Sequence, residues 1–239
     1  MKRVLVLMLA LVLVLSLAAC GDGGETTTEK ESGKNGISFN FDEVSKGSTI
    51  TFGSYDQDNY SSDGKTPISW IVLEKGEDSM TLLSVYALDC HAFDSDTTVW
   101  RDSSIRDWLN KDFLSTAFND EESAYIATSK ITTSGEESIT TEDKVYLLSS
   151  DELNTYYPNE RDAARLAQVT DYAVSQGLEA YDNKKKQNTC NWWLRDADPD
   201  TTYYSQWVGG QLLNPGEICS LGPYEKYGVR PVIVVNRES

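Results

Sequence analysis

The chain of 239 residues sets 38 acidic side chains against 21 basic ones, a formal net charge of −17. A charge that negative disfavours nucleic acid and anionic lipid surfaces as partners. The 6 tryptophans and 13 tyrosines are too many for a disordered stalk, and the length suffices for one domain with a sizeable core.

Lys2 and Arg3 precede an apolar run from Val4 to Leu15, and Leu17-Ala18-Ala19-Cys20 has the form of a bacterial lipobox. Residues 1–19 therefore read as a lipoprotein signal peptide. Cleavage before Cys20 would leave that thiol to be diacylglycerated, and two or more acyl chains hold a protein firmly to a membrane. The expectation is an extracytoplasmic protein, lipid-anchored at Cys20 to the outer face of the cell membrane. Losing Lys2 and Arg3 leaves 19 bases against 38 acids, a mature charge of −19. Such a charge concentrates cations and suits weak calcium binding; solubility at a cell surface is its plainer meaning. Residues 20–36 are polar and glycine-rich, a flexible tether.

Residues 37–239 read as one domain. Thr49–Phe52, Ile68–Leu73 and Met80–Val85 have strand character, and Lys75-Gly76-Glu77-Asp78 is a turn of hairpin length. Ser103 or Ser104 can cap a helix with Ile105, Trp108, Leu109 and Phe113 on one apolar face. Asn119 with Glu122 three residues later resembles a capping box and opens a second short helix. Val145–Leu148 returns to strand. Asn159 is expected to cap a third helix carrying Ala163, Ala167 and Val174 and ending near Gly177. A loose polar stretch surrounds Lys184–Lys186. Trp192–Leu194, Tyr203–Val208 and Val229–Val235 complete the strands, with Pro231 suggesting an edge or bulge. Strands, helices, strand, helix, strands is the order of a segregated α+β fold, mixed and mostly antiparallel.

Enzyme signatures are sparse: there is no Gly-x-Ser-x-Gly elbow, no His-Glu-x-x-His and no phosphate loop. His91 is the single histidine, and its neighbour Cys90 would point to the opposite face of a strand. With Cys20 acylated, Cys90, Cys190 and Cys219 cannot all pair within one chain. One bridge plus a buried thiol, or three buried thiols, are the two arrangements left.

The strongest binding clue lies after Thr189, where Trp192, Trp193, Tyr203, Tyr204, Trp207, Tyr224 and Tyr227 gather. Exposed tryptophan and tyrosine anchor sugar rings and protein partners. Asp196, Asp198 and Asp200 alternate as at the start of a calcium loop, but Thr201 and Trp207 stand where an EF-hand needs glycine and an acid. Either the three hold calcium in a looser oxygen cage, or they form a solvated turn held by Pro199. If the Tyr203–Trp207 segment buries the face of Trp207, then Tyr204 and Gln206 look outward beside that turn, with Arg195 at the rim. Arg106, Arg195 and Arg230 sit among apolar residues and are expected to pair with buried carboxylates.

Several motifs carry a family resemblance. Trp100…Ser104-Ile105-Arg106-Asp107-Trp108-Leu109-Asn110 with Phe113, then Asp143-Lys144-Val145-Tyr146-Leu147-Leu148-Ser149, Trp192-Trp193-Leu194-Arg195 and Gly228-Val229-Arg230-Pro231 resemble domain-of-unknown-function family 6273, in the family's order, from about Gly47 to Asn236. Asp196-Ala197-Asp198 departs from the Ser-Pro-Gly usual there. The closing motifs are also similar to those of formylglycine-generating enzymes and other C-type-lectin-like folds, and the resemblance implies that architecture. Formylglycine-generating enzymes hold copper with two cysteines close in sequence, and no such pair exists here. The sequence therefore points to a surface lipoprotein carrying a non-catalytic binding module for carbohydrate or protein ligands, without nucleic acid. An enzyme of formylglycine-generating or glycoside-processing type is the alternative.

Overall fold

The computed structural model describes residues 39–60, 62, 64–133, 138–182, 188–211 and 215–238. The signal peptide, Cys20, the tether and the Lys184–Lys186 stretch lie outside the described residues.

The described chain is mostly β, with several antiparallel sheets and short helices. One sheet runs in the order Thr49–Tyr55, Thr66–Lys75, Ser79–Ser84, Val232–Asn236, Val145–Tyr146, every neighbour antiparallel. The expected hairpin closes over Gly76, whose N–H donates to Ser79 O at 2.8 Å. A second sheet runs Ile218–Leu221, Ser205–Val208, Trp192–Ala197, Lys226–Val229, Asp89–Ala92. Its Trp192 and Lys226 strands are parallel and its other neighbours antiparallel. A smaller sheet joins Tyr181–Asp182, Asn188–Cys190, Ala167–Val169 and Tyr86–Ala87, and Ser129–Thr133 pairs with Ile139–Asp143 as a ribbon.

Large aromatics fill the core, and the four fully buried tryptophans have satisfied indoles. The buried Trp70, Trp100, Trp192 and Trp193 donate their indole N–H groups to Phe52 O, Asp143 Oδ2, Arg165 O and His91 O, at 2.7, 3.1, 3.0 and 2.8 Å. A buried indole N–H left alone would cost about 1–3 kcal/mol, which is why each has a partner.

Ser103 caps Ser104–Trp108, as its position before the apolar face predicts. The helix then widens to a π-turn over Leu109–Phe113 and resumes at Leu114–Ala117. Ile105, Leu109 and Phe113 are buried, whereas Trp108 is only half-buried; it sits on the edge of the apolar stripe rather than its centre. The Asn119–Glu122 capping box forms in full over Asp120–Tyr125.

Two expected elements are corrected. The single helix from Asn159 to Gly177 is instead a 3₁₀ turn Ala163–Arg165, a strand Ala167–Val169 and a short helix Asp171–Ser175. Asp162 and Thr170 cap the two helical pieces and so restart the chain between them. The single strand Val229–Val235 is two strands in different sheets. Arg230 and Pro231 form the crossing, where Pro231 O accepts from Ser84 N at 3.0 Å, and the strand beyond it is interior, not an edge.

The arginine expectations divide. Arg106 Nε donates to Asp143 Oδ1 at 2.7 Å, and Arg195 pairs with Glu152. Arg230 is buried with no carboxylate partner among the described residues; it donates to Ser84 O and Ala164 O and packs over the Trp192 ring.

Candidate functional site

Arg195 organises the principal site. From the central strand Trp192–Ala197, its backbone N–H donates to Leu148 O at 3.0 Å and its Nη1 to Leu147 O at 2.8 Å. Its guanidinium grips both oxygens of Glu152, at 2.5 and 2.8 Å. Glu152 also accepts from Ser149 N at 3.0 Å, closing the capping box of the helix Ser150–Tyr156. This fork fixes that helix against the strand and sets the next residue, Asp196, over Ser150.

Asp196 Oδ2 accepts from Ser150 N at 2.6 Å and Ser150 Oγ at 2.9 Å. Among the described residues its Oδ1 is buried without a hydrogen-bond partner, as is Gln206 Oε1 on the adjoining strand. Both residues are nearly inaccessible, 6% and 8% exposed, and both line a cavity of about 630 Å³. Burial holds the Asp196 carboxyl above the usual carboxylate range, against the lowering pull of the Ser150 bonds. Asp151, Asp198 and Asp200 line the same cavity. Asp198 shapes its loop by accepting from Asp200 N and Thr201 N, both at 2.9 Å. Thr98 Oγ1, donating to Thr202 O at 2.7 Å, ties the loop to the body of the fold. With Asp151, Asp198 and Asp200 along its wall, the recess is negatively charged.

The expected site residues therefore meet only in part. The Asp196–Asp200 turn does border a concave surface. Tyr204 is exposed at 44%, yet it does not line the cavity. Gln206 does not look outward: Ser205–Val208 is an interior strand on which only Trp207 is partly exposed, and Gln206 is buried while lining the cavity. Arg195 is not at a rim; it is 3% exposed and committed to Glu152. The three aspartates do not converge, because Asp196 is turned to Ser150 and Asp198 to its own loop amides. Among the described residues, no three His, Cys, Asp or Glu side chains gather as a metal site. Ser150 and Asp151 were missed as site residues, although Ser149 followed three positions on by Glu152 is the same capping signature that located the helix after Asn119.

A second cavity, of about 460 Å³, opens beside His91 and Trp108. Their rings pack 3.9 Å apart between centroids. Beneath them, buried Asp89 accepts from Tyr55 Oη at 2.5 Å and Cys90 N at 2.7 Å, and its Oδ1 lies 3.6 Å from His91 Nε2. Cys90 and Cys190 are buried thiols. Burial pushes the Cys90 thiol up to about 11 and raises that of Cys190 as well, so both stay protonated at neutral pH. Cys190 is fully buried and does not reach an open groove.

These features define a mostly-β domain with a recessed acidic cavity on its central sheet. Residues 77–237 match the profile of the family described as Domain of unknown function (DUF6273), and the chain belongs to that family. Comparisons with curated proteins and with solved structures find no match.

Proposed function

We propose that this protein is an extracytoplasmic lipoprotein, anchored through Cys20, whose C-type-lectin-like domain is a non-catalytic binding module for a carbohydrate or protein ligand. One observation supports the reading: Asp196 and Gln206 line the same cavity, and each has a buried acceptor oxygen without a hydrogen-bond partner among the described residues. A buried acceptor without a protein donor is costly, and a donor brought by water or by a ligand relieves it; a ligand that reproduces the water's bond can take its place. The complementary ligand brings hydrogen-bond donors, a hydroxyl or an ammonium group, and the surrounding aspartates favour positive charge. The protonated thiols support binding over thiolate chemistry. Among the described residues, no helix is long and apolar enough to cross a membrane, and the reading assigns membrane attachment to the acyl chains.

The test is an array of glycans, amino sugars and amine-bearing peptides, probed with and without calcium. The wild-type domain should retain at least one donor-bearing class that Asp196→Asn and Gln206→Leu both lose. Retention of every hit by both folded variants would remove the cavity from the account. Calcium-dependent retention would instead restore the aspartate turn as an oxygen cage.

A further inference from the structure

The His91–Trp108 cavity has a neighbour of about 430 Å³, walled by Tyr181, Tyr224 and Tyr227. Lys226 lines both cavities, and its strand runs antiparallel to Asp89–Ala92 with Tyr227 directly opposite His91. The two hollows thus lie along one pair of strands, with aromatic rings at each end and a single lysine between them.

The rings are fixed in place by their neighbours. Trp108 is half-buried against His91. Tyr227 packs between Trp193 and Trp207, with centroids at 4.7 and 5.0 Å. Tyr224 is 64% exposed, and its ring lies where a side chain on residue 222 would stand, 2.5 Å from an added Cβ, so Gly222 is what lets it lie there. Tyr181 Oη accepts from Gln211 Nε2 at 3.1 Å and donates to Glu179 Oε2 at 2.7 Å.

The remaining lining is chemically selective. Asp89 and Glu179 are each engaged by a tyrosine hydroxyl, and Glu225 adds one further carboxylate to the wall of the second hollow. Gln176 and Ser104 line one end and Asn191 and Gln211 the other; Ser104 Oγ donates to Phe93 O, Asn191 Oδ1 accepts from Gly210 N and Gln211 Nε2 donates to Tyr181 Oη. Among the described lining residues, the aliphatic side chains are only those of Ala92 and Leu178. A peptide groove needs aliphatic pockets or a free sheet edge for its specificity; this lining has flat faces bordered by polar groups. A pyranose presents the matching surface, an apolar C–H face edged by hydroxyls.

We propose that the two cavities joined at Lys226 form a second binding site, distinct from the acidic cavity, that takes a linear oligosaccharide of neutral sugars with one ring in each hollow. Because the platforms are separate, two linked rings bind far better than one.

The experiment uses neutral gluco-, manno-, xylo- and N-acetylglucosamine oligosaccharides of increasing length, followed by tryptophan fluorescence and calorimetry on the purified domain. Affinity for one series should climb steeply from monosaccharide to the shortest chain that spans both hollows. Trp108→Ala and Tyr224→Ala should each weaken that ligand about tenfold, the loss of one stacking contact. Tyr224 is exposed, so its variant keeps the fold even if Trp108→Ala does not. Asp196→Asn should leave this affinity unchanged, which separates the site from the acidic cavity. Binding that disappears in Asp196→Asn but survives Tyr224→Ala overturns the proposal. So does binding of no oligosaccharide series, or binding of unstructured peptides in their place.

Discussion

Replacing Asp196 by Asn removes a buried negative charge yet leaves an oxygen for Ser150, which now donates to Asp196 Oδ2 through both its N–H and its hydroxyl. What changes is the other oxygen, buried without a partner. Leaving a buried polar atom unsatisfied costs about 1–3 kcal/mol, and more for a charged group. The new amide NH₂ also needs acceptors, so the net gain is smaller, about 1 kcal/mol of added stability. The pH dependence has a definite sign. Burial raises the folded carboxyl above its unfolded value, so the ionised group destabilises the fold as pH rises through the ordinary carboxylate range and beyond. The advantage of Asp196→Asn should therefore be greatest at neutral pH and shrink on acidification. Urea denaturation of both proteins at pH 7 and pH 4.5 measures it. A loss of more than about 1 kcal/mol at pH 7 would mean that the charge anchors the helix Ser150–Tyr156, and that the cavity oxygen is structural rather than reserved for a ligand.

Asp143 should behave oppositely. It is buried and accepts from Arg106, Trp100 and Thr141, so Asp143→Ala should cost about 3 kcal/mol in chemical denaturation; a cost below about 1 kcal/mol would show those bonds to be dispensable. Gly210→Ala would put a methyl group 2.2 Å from Cys190 O, a backbone clash that should cost about 3 kcal/mol and show as a lowered melting temperature. Cys20→Ala should move the protein out of the detergent phase or block its processing; unchanged membrane association would dismiss the lipid anchor.

What the sequence disclosed depended on how local the cause was. The Asn119 capping box and the hairpin over Gly76 are set by residues within a few positions, and both were legible. The helix face was legible at Ile105, Leu109 and Phe113 but not at Trp108, which falls at the edge of the stripe and stays half-buried. The stretch from Asn159 to Gly177 misled, since alanines at helical spacing outweighed the caps Asp162 and Thr170, and the sheet partners of Ala167–Val169 come from elsewhere. The acidic turn was visible as composition. Its pairing with Gln206 and Ser150 was not, because it depends on the Arg195–Glu152 fork that brings strand and helix together.

The central claim is that a ligand enters the acidic cavity and satisfies Asp196 and Gln206. Heteronuclear NMR of the domain, titrated with the strongest hit from the donor-bearing array, reads this directly through the Gln206 side-chain amide and the Ser150 backbone amide. Saturable shifts of both, lost in Asp196→Asn, are predicted. Saturable binding that leaves both resonances unmoved would contradict the account.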